Sequence, residues 1–493
     1  MSKISFKIKS LWPSLAVLAT MALGAILRVI PLMGRDFWYD EAFTGITVRQ
    51  TWSQMMSIIV HDVHPPLYYI LLKLWTLIAS SSPLAIRSFS VILSVATIGL
   101  VYVALRQWYP KSPLPAILGS LVMAINPFFI NYGQEARMYS LFAFLLALAA
   151  ILLTKSWTSA AKTSTKFRLA FGLTLLAILL THYLGFVFAL AFVIADFAHY
   201  YRQQPTKFKT SKLTWLLSGY LAPLLGGLAW LPSYHAQTSG HASLGWVPNT
   251  TFDHLPTAIH IFLFGAPVGV AGVPPALGYR FDWLSIASIS VILVVLITTL
   301  VVTLTLRKKW DANLALLGFI TAFPLLAALA LQLIHVQLFV ERFLTGSALF
   351  LVLFLVLALS RLDEKFAILK TTVGIYILLV LAIQPYSYQP HFSTVAATIN
   401  NLSPSSEVIA TNPFDFILVR FYLGEQANLH LYLVPDANGN TEYVDGWALI
   451  ADRASNHILS LPTSPATIIA HNPNDFPDYH TITTVNDLSL LTK

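Results

Sequence analysis

Long runs of apolar residues, separated by short polar loops, follow one another through the first 385 residues of the chain. The clearest runs cover residues 15–27, 289–306 and 349–359. With its flanks, each run is long enough to cross the hydrocarbon core of a bilayer as a helix, which takes about 20 residues. The pattern therefore predicts an all-α polytopic membrane protein over most of the chain.

The composition agrees with this pattern and excludes an ordinary water-soluble globule. Of the 493 residues, 56% are hydrophobic and 11% are charged, whereas a soluble domain carries about 25% charged residues. The chain has no cysteine, which excludes disulfides, thiolate metal sites and thiol catalysis.

The net charge of +8 hides two regions of opposite sign. Residues 1–385 hold 27 Lys and Arg against 12 Asp and Glu, while residues 386–493 hold 3 against 10. The positive charge lies in short loops between apolar segments, so the positive-inside rule explains it better than nucleic-acid binding does. We predict that the N-terminus is cytoplasmic and that five basic loops are too: 106–111, 155–168, 202–212, 307–309 and 361–370.

The positions of these loops restrict the number of spans. Two apolar stretches, 66–79 and 84–105, lie between the first outer loop and the basic loop at Arg106. If both crossed the membrane, every later basic loop would be outside. Stretch 66–79 is short, begins with proline and carries Lys73, so we predict an interfacial helix on the outer surface. About eleven spans follow: 11–33 (uncleaved, since no signal-peptide cleavage site is evident), 86–106, 114–131, 138–154, 168–181, 184–201, 213–232, 284–306, 313–334, 343–360 and 366–384.

The acidic C-terminal region differs from the rest of the chain. β-rich runs at 408–411, 429–434, 467–470 and 481–485 alternate with turn residues and with a helical stretch at 392–401. We therefore predict a transmembrane domain, residues 1–385, whose outer loop 34–86 carries juxtamembrane helices. Residues 386–493 are predicted to form a small extracytoplasmic α/β domain.

Ionisable groups near the membrane are costly and are candidates for function. Here they gather at the predicted outer ends of helices, and the first cluster is Trp38-Tyr39-Asp40-Glu41-Ala42. An aromatic setting and a neighbouring carboxylate favour one of the two acids as a general base. The structural alternative is a helix N-terminus with Asp40 as its cap and Glu41 in the first turn.

A second cluster is His61-Asp62-Val63-His64-Pro65-Pro66, followed by Leu67-Tyr68-Tyr69. The prolines fix the start of a helix. His61, Asp62 and His64 could together bind a metal, although a structural turn explains the same spacing.

A third cluster, Asn131 to Tyr139, contains Gln134, Glu135 and Arg137. Glu135 could bind a cation or a substrate hydroxyl, and Arg137 could bind a phosphate. The alternative is a surface ion pair of little energetic weight. The same two interpretations apply to three further residues: Arg87, His182 and Arg342, which follows Glu341.

These motifs together resemble the prokaryotic relatives of protein O-mannosyltransferases. The resemblance covers about the first 200 residues and rests on Trp38–Ala42, Asp62–Tyr69, Arg87 with Ser88 and Ser90, and Tyr132–Ser140. The superfamily, the C-type membrane glycosyltransferases, also includes the aminoarabinose transferase that acts on lipid A. The resemblance implies the C-type fold, with the transmembrane domain as its catalytic part. It also implies transfer of a sugar from a polyprenyl-phosphate or polyprenyl-diphosphate donor, usually with inversion, to an acceptor on the outer face.

The resemblance also implies roles for single residues. Asp40 matches the base that activates the acceptor, with Glu41 as its companion, and Glu135 matches the acidic position of the second outer loop. Arg137 and Arg342 are the phosphate candidates. The other predicted substrate contacts are His64, Tyr69, Lys73, Arg87, Gln134 and His182. No cofactor is required by the motifs; if a divalent metal takes part, Glu135 and His64 are its candidate ligands.

Two other interpretations remain open at this level. A transporter or flippase of lipid-linked saccharides would also be polytopic, but such proteins carry charges midway along spans, and here Asp196 is the only acidic residue inside a predicted span. The acidic C-terminal domain could instead recruit the acceptor, whether lipid, protein or polysaccharide. A nucleotide donor is not supported, because no phosphate-binding glycine loop is evident.

Overall fold

The structure of the protein is a computed structural model. It describes residues 2–159, 161–203, 215, 217–239, 254–265, 311–332, 334, 336, 338–362, 365–382, 392–402, 407–424, 428–433, 449, 457–462, 466–485 and 488–492. The predicted span 284–306 and the predicted domain boundary between residues 385 and 386 lie outside these residues.

The fold is mostly helical, as predicted. Within the described residues the α-helices are α1 (Ser2–Val29), α2 (Tyr39–Arg49), α3 (Trp52–Val60), α4 (Leu67–Ala79), α5 (Pro83–Trp108), α6 (Leu114–Ile125), α7 (Pro127–Gln134), α8 (Tyr139–Thr158), α9 (Ala161–Leu179), α10 (Gly185–Gln203), α11 (Leu221–Ser239), α12 (His254–Phe264), α13 (Ala312–Gln332), α14 (Thr345–Leu362), α15 (Ala367–Ala382), α16 (Phe392–Leu402) and α17 (Pro413–Leu423).

Several of these helices are long and apolar enough to cross a membrane. In the described part of the chain there are 5 such helices, namely residues Leu11–Leu32 and helices α5, α8, α13 and α14, or up to 6 if α6 and α7 form one broken span. The polytopic helical class is therefore confirmed, while the number of about eleven spans stays a prediction. Helix α4 has 13 residues, too few to cross a hydrocarbon core of about 30 Å, which agrees with its exclusion from the predicted spans.

The predicted span 114–131 is divided into two helices. Helix α6 ends at Ile125 and α7 begins at Pro127, with a bend of 58° between their axes. Proline cannot donate the backbone hydrogen bond that would continue α6. The Asn126 side chain instead accepts a hydrogen bond of 3.2 Å from the Phe129 backbone N–H and caps the new helix.

The chain forms two compact units. The helical unit comprises Met1–Leu32, Ser88–Trp230 and Leu244–Tyr388, and the mixed unit comprises Met33–Arg87, Leu231–Ser243 and Gln389–Lys493. The mixed unit thus combines the predicted outer loop 34–86 with the C-terminal region.

The C-terminal region of the mixed unit contains a six-stranded sheet of order β3-β2-β1-β4-β6-β5. Its strands are β1 (Glu407–Ala410), β2 (Leu429–Tyr432), β3 (His457–Ile458), β4 (Ala466–Ala470), β5 (His480–Val485) and β6 (Leu488–Thr492). Strand β1 pairs in parallel with β2 and β4, β3 pairs in parallel with β2, and β6 is antiparallel to β4 and β5.

The predicted small α/β domain is therefore present. Four strands and helix α16 fall where the β-rich runs and the helical stretch predicted them, while β3, β6 and α17 were not predicted. One sheet face buries Ile409, Ile468 and Leu491 under Tyr479. Helix α17, which connects β1 to β2, buries Phe416, Ile417, Val419 and Phe421.

Candidate functional site

The Trp38–Ala42 motif forms the start of α2 in the mixed unit. Trp38 is the N-cap, and its backbone N–H donates to the Glu41 carboxylate at 3.4 Å. The expectation that Asp40 would be the cap is therefore wrong, because Asp40 already lies in the first helical turn. Its backbone carbonyl accepts a hydrogen bond of 2.8 Å from the Thr44 hydroxyl, and its side chain is half-buried.

Glu41 forms a buried ion pair with Arg87. The Arg87 Nε donates to Glu41 Oε1 at 2.7 Å, Nη2 donates to Oε2, and both side chains are almost completely buried. The same guanidinium donates to the backbone carbonyls of Arg35 (2.6 Å) and Asp36 (2.8 Å). A planar guanidinium suits such multiple, charge-assisted bonds. Arg87 thus fixes the chain just before Asp40 and uses its donors within the protein.

The two adjacent carboxylates therefore have different surroundings. Glu41 is fully buried and bonded to Arg87 and to the helix start, while Asp40 is half-buried and lies one residue before it. The sequence alone did not distinguish their surroundings. Both carboxylate oxygens of Glu41 accept hydrogen bonds from Arg87, so Glu41 holds the start of α2 in place.

Helix α17 supports the same segment from the C-terminal region. The Tyr422 hydroxyl accepts a 2.7 Å hydrogen bond from the Phe37 backbone N–H, and the Phe37 and Phe421 rings lie 4.7 Å apart between centroids. Burial raises the pKa of Tyr422 further above its ordinary value of 10.0, so this hydroxyl keeps its proton. Gly45 permits the close approach, because a Cβ there would lie 2.6 Å from the Phe421 ring. No sequence signal linked these residues.

Lys73 is also committed to the protein. Its ammonium donates to the backbone carbonyls of Val48, at 3.0 Å, and of Gln50. These carbonyls lie at the C-terminal end of α2, where a cation is favoured by the helix dipole. Burial lowers the pKa of Lys73. These contacts hold α4 against α2 and leave little donor capacity for a substrate phosphate.

His64 and Tyr69 lie on either side of the Pro65-Pro66 turn. His64 Nδ1 lies 3.0 Å from an Asp62 carboxylate oxygen, and the His64 backbone carbonyl accepts from Gln237 at 3.2 Å. Tyr69 is completely buried and packs edge-on against Tyr68. Throughout the described residues, no group of three or more His, Asp or Glu side chains has the geometry to hold a metal ion, so His61, Asp62 and His64 form a turn and not a three-ligand cluster.

In the helical unit, Gln134, Glu135 and Arg137 occupy the connection from α7 to α8 and are all buried. The alternative of a surface ion pair between Glu135 and Arg137 is therefore wrong. The Gln134 amide donates to the Leu27 carbonyl at 3.2 Å, and the Arg137 carbonyl accepts from Ser90 at 3.4 Å. Backbone contacts with α1 and α5 hold this connection in place.

Aromatic rings connect this turn to the other predicted residues of the helical unit. The Tyr132 ring lies edge-on to the Tyr139 ring, with 5.2 Å between their centroids. The His182 ring packs against the rings of Tyr139 and Phe343, at centroid distances of 6.3 Å and 5.1 Å. The charges of Glu135, Glu341 and Arg342 act on the Tyr132 hydroxyl. The structure thus brings four predicted positions near one another, Glu135, His182, Glu341 and Arg342, and adds Tyr132 and Tyr139 as residues that the sequence analysis did not single out.

A buried arginine that the sequence analysis missed supports this region. Arg28 in α1 donates to the Ser94 hydroxyl at 2.8 Å and to the carbonyls of Gly24 and Ala124, each at 2.9 Å. Ala124 is in the last turn of α6, so Arg28 satisfies a carbonyl that the bend at Pro127 leaves without its helical donor. A lone charge in an apolar first span was its only sequence signal.

Gly133 must stay without a side chain for this support to form. A Cβ there would lie 2.6 Å from Ser94 Oγ and 2.9 Å from Arg28 Nε. We expect Gly133→Ala to lower stability by about 1–3 kcal/mol through overpacking, measured as a lower thermal unfolding midpoint in detergent. The control is Gly374→Ala in α15, where no atom lies within 4 Å, and it should be neutral or stabilising by about 0.5–1 kcal/mol. Equal midpoints for both variants would contradict the packing argument.

Glu341, just before the span that begins at Thr345, gives a pH prediction. Burial raises its pKa above the ordinary value of 4.5, opposed in part by a backbone hydrogen bond and by His254 and Arg342. Between the two pKa values the folded state binds more protons than the unfolded state, so unfolding free energy falls as pH rises. We expect Glu341→Gln to lose less stability than the wild type between acidic and neutral pH, measured by thermal unfolding. The exposed Asp478→Asn control should follow the wild type; a wild-type slope in Glu341→Gln would reject the assignment.

A separate groove contains none of the predicted site residues. It has a volume of about 710 Å³ and is lined by residues of α8, α10 and α13 with Asp311, including Trp157, His199 and Arg202. Cavity size alone therefore does not identify the candidate site.

Residues 63–230 match the family model described as dolichyl-phosphate-mannose-protein mannosyltransferase. This stretch includes His64, Arg87, Glu135 and Arg137, and it begins after the Trp38–Ala42 motif. No curated protein matches the chain by sequence.

The fold is that of solved C-type glycosyltransferases. ArnT from Cupriavidus metallidurans in the apo state has a TM-score of 0.63 at 11% identity, with 97% of each chain covered. The same protein bound to undecaprenyl phosphate gives 0.61 at 12% identity, with 97% of each chain covered. The oligosaccharyltransferase of Archaeoglobus fulgidus, in complex with Zn and sulfate, gives 0.52 at 12% identity, covering 92% of this chain and 68% of that one.

Fold and family match define the class. The chain has the fold of the C-type membrane glycosyltransferases, and residues 63–230 match the protein mannosyltransferase family. The resemblance inferred from the motifs is therefore confirmed, and the chain is an enzyme of sugar transfer.

Proposed function

We propose that the enzyme transfers a sugar from a polyprenyl-phosphate or polyprenyl-diphosphate donor to an acceptor on the outer face of the plasma membrane, with inversion at the anomeric carbon. The observation that carries this proposal is the match of residues 63–230 to a family described by its dolichyl-phosphate-mannose donor. The undecaprenyl phosphate bound to ArnT, a protein of the same fold, supports a lipid phosphate as carrier.

Asp40 is the proposed base. In a single displacement it accepts the proton of the acceptor hydroxyl while that oxygen forms a bond to the anomeric carbon; the bond from that carbon to the phosphate oxygen breaks, and polyprenyl phosphate leaves. The Arg87–Glu41 pair supports this assignment, because it fixes the helix start that carries Asp40 and occupies the neighbouring carboxylate. Glu41 and Arg87 are accordingly proposed as positioning residues.

The helical unit carries the proposed donor contacts. Arg137 and Arg342 supply the positive charge that a leaving phosphate requires, and Glu135, Gln134 and His182 line the same buried region. The contacts of Lys73 with carbonyls of α2 and of Tyr69 within its helix support packing roles for these two residues.

The orientation follows from the charge pattern. The positive-inside rule places the basic loops and the N-terminus in the cytoplasm, and the acidic C-terminal domain outside. The proposed acceptor is accordingly an outer-face lipid, protein or polysaccharide.

The contacts of Asp196 count against the transporter alternative. Asp196 accepts hydrogen bonds from Arg168, from the Tyr220 hydroxyl (2.5 Å) and from the Trp157 indole (2.8 Å), and both Asp196 and Arg168 are almost completely buried. A carboxylate held by three partners serves helix packing and is poorly suited to relay a cation.

Mass spectrometry of cell-surface glycans tests the function without knowledge of the acceptor. A strain lacking the gene should lose one sugar linkage, and the wild-type gene should restore it whereas Asp40→Asn should not. An unchanged set of sugar linkages in the deletion strain would overturn the proposal.

A further inference from the structure

Two adjacent strands of the sheet end in the same sequence. Strand β1 is followed by Thr411-Asn412-Pro413-Phe414-Asp415 and strand β4 by His471-Asn472-Pro473-Asn474-Asp475, so each ends in Asn-Pro-X-Asp. In both turns the asparagine side chain accepts from the backbone N–H two residues later, at 2.8 Å for Asn412 and 3.3 Å for Asn472. The structure repeats one polar turn at neighbouring strand ends.

The topology places these turns where open α/β sheets bind ligands. Strands β1 and β4 are parallel neighbours, but the chain leaves β1 toward β2 on one side and leaves β4 toward β5 and β6 on the other. Ligands of such sheets bind outside the carboxyl ends of the strands at this kind of switch point. The Thr411 hydroxyl donates to the Ile469 carbonyl at 3.0 Å and holds the two strand ends together.

The side chains at this edge span both turns. His471 Nε2 lies 3.0 Å from a carboxylate oxygen of Asp415, so the turn after β4 reaches the turn after β1. His471 is 46% exposed and Phe414 is 45% exposed. The two five-residue turns contain no Lys or Arg, which disfavours a phosphate ligand. Amide, imidazole and carboxylate groups beside an open aromatic ring favour a neutral ligand with many hydroxyls and an apolar face.

This edge also contacts the segment of the proposed base. The ring of Phe414 packs on the ring of Tyr39, with centroids 4.4 Å apart, and Tyr39 immediately precedes Asp40. The Asp36 carboxylate accepts a 2.7 Å hydrogen bond from the Ser393 backbone N–H at the start of α16. Both contacts lie within the mixed unit.

We propose that the twin Asn-Pro-X-Asp turns form a binding site for a saccharide, the acceptor whose hydroxyl Asp40 activates. The role of this saccharide as acceptor rests on the proposed function, whereas its binding does not depend on sugar transfer. Phe414 stacks on the sugar ring, while His471 and the asparagines of the two turns bind its hydroxyls.

Saturation-transfer NMR on the full chain in nanodiscs tests the site, with mannobiose and N,N′-diacetylchitobiose as saccharide probes and a Ser/Thr-rich hexapeptide as the competing class. At least one disaccharide should receive saturation from the wild type. Phe414→Ala and His471→Ala should each reduce that signal at least fivefold.

The matched control is His480→Ala. His480 is also an exposed histidine, but it begins β5, which pairs with β6 opposite the amino end of β4, so its loss should leave the saccharide signal unchanged. Equal signals in all variants, or saturation of the hexapeptide alone, would overturn the saccharide site. This experiment measures binding. If the protein binds the saccharide at this site but transfers no sugar, the result would count against the proposed activity and not against the saccharide site.

Discussion

Asp40→Asn is expected to abolish sugar transfer while the protein still folds and binds its donor. General base catalysis contributes about 100-fold to 10,000-fold to rate, and an amide cannot accept the acceptor's proton. The Asp40 side chain is half-buried at the first turn of α2 and is not part of the Glu41–Arg87 ion pair, so the isosteric change should leave the fold intact. The measurement is the initial rate of transfer alongside the affinity for a radiolabelled polyprenyl-phosphate sugar.

Two variants control this result. Asp40→Glu keeps a carboxylate and should retain measurable transfer, while Asp62→Asn removes a different carboxylate of the same sequence region, which contacts His64, and should lose far less. Full activity in Asp40→Asn would reject the base assignment and leave the fold assignment untouched.

Arg87→Met should cause the largest loss of stability. Removing one partner of a buried ion pair leaves an uncompensated charge and costs about 3–5 kcal/mol. Here the substitution would strand the Glu41 carboxylate and two backbone carbonyls, those of Arg35 and Asp36. We expect a large fall in the thermal unfolding midpoint and loss of transfer, because the start of α2 would no longer be fixed.

A double variant separates the ion pair from the rest of this effect. Glu41→Gln combined with Arg87→Met removes both charges, so it should be more stable than Arg87→Met alone. Arg49→Ala serves as the matched control, since Arg49 is an exposed arginine at the other end of α2 that also donates to backbone carbonyls. A double variant no more stable than the single one would show that the charge of Glu41 is not the cause.

The sequence predicted features that depend on local pattern. Hydropathy located the five described helices that are long and apolar enough to cross a membrane to within about four residues at each end. The shortness of stretch 66–79 predicted a helix too short to cross, observed as α4 with 13 residues. The β-rich runs between turn residues predicted four strands of the C-terminal sheet. The bend at Asn126-Pro127 was missed because the apolar run continues through it, although an Asn-Pro pair is itself a turn signal.

Contacts between distant positions could not be predicted. The hydrogen bond between Phe37 and Tyr422 joins residues 385 positions apart, and no local pattern encodes such a partner. For the same reason Arg87 and Lys73 were taken as substrate contacts: their charge indicated a costly placement, but only the structure shows which carboxylate and carbonyls satisfy them. Residues 34–87 therefore contain two kinds of charge, those that hold α2 and those proposed to act on substrate.

The most direct test is transfer by purified enzyme from a defined lipid donor. The wild type in nanodiscs would receive polyprenyl-phosphate-[³H]mannose and, as acceptor source, membranes from a strain lacking the gene. We expect label to pass to the acceptor without any nucleotide sugar, with release of unlabelled polyprenyl phosphate, and we expect Asp40→Asn to transfer none. Label that remains on the lipid with wild-type enzyme, or that moves only when a nucleotide sugar is supplied, would contradict this expectation.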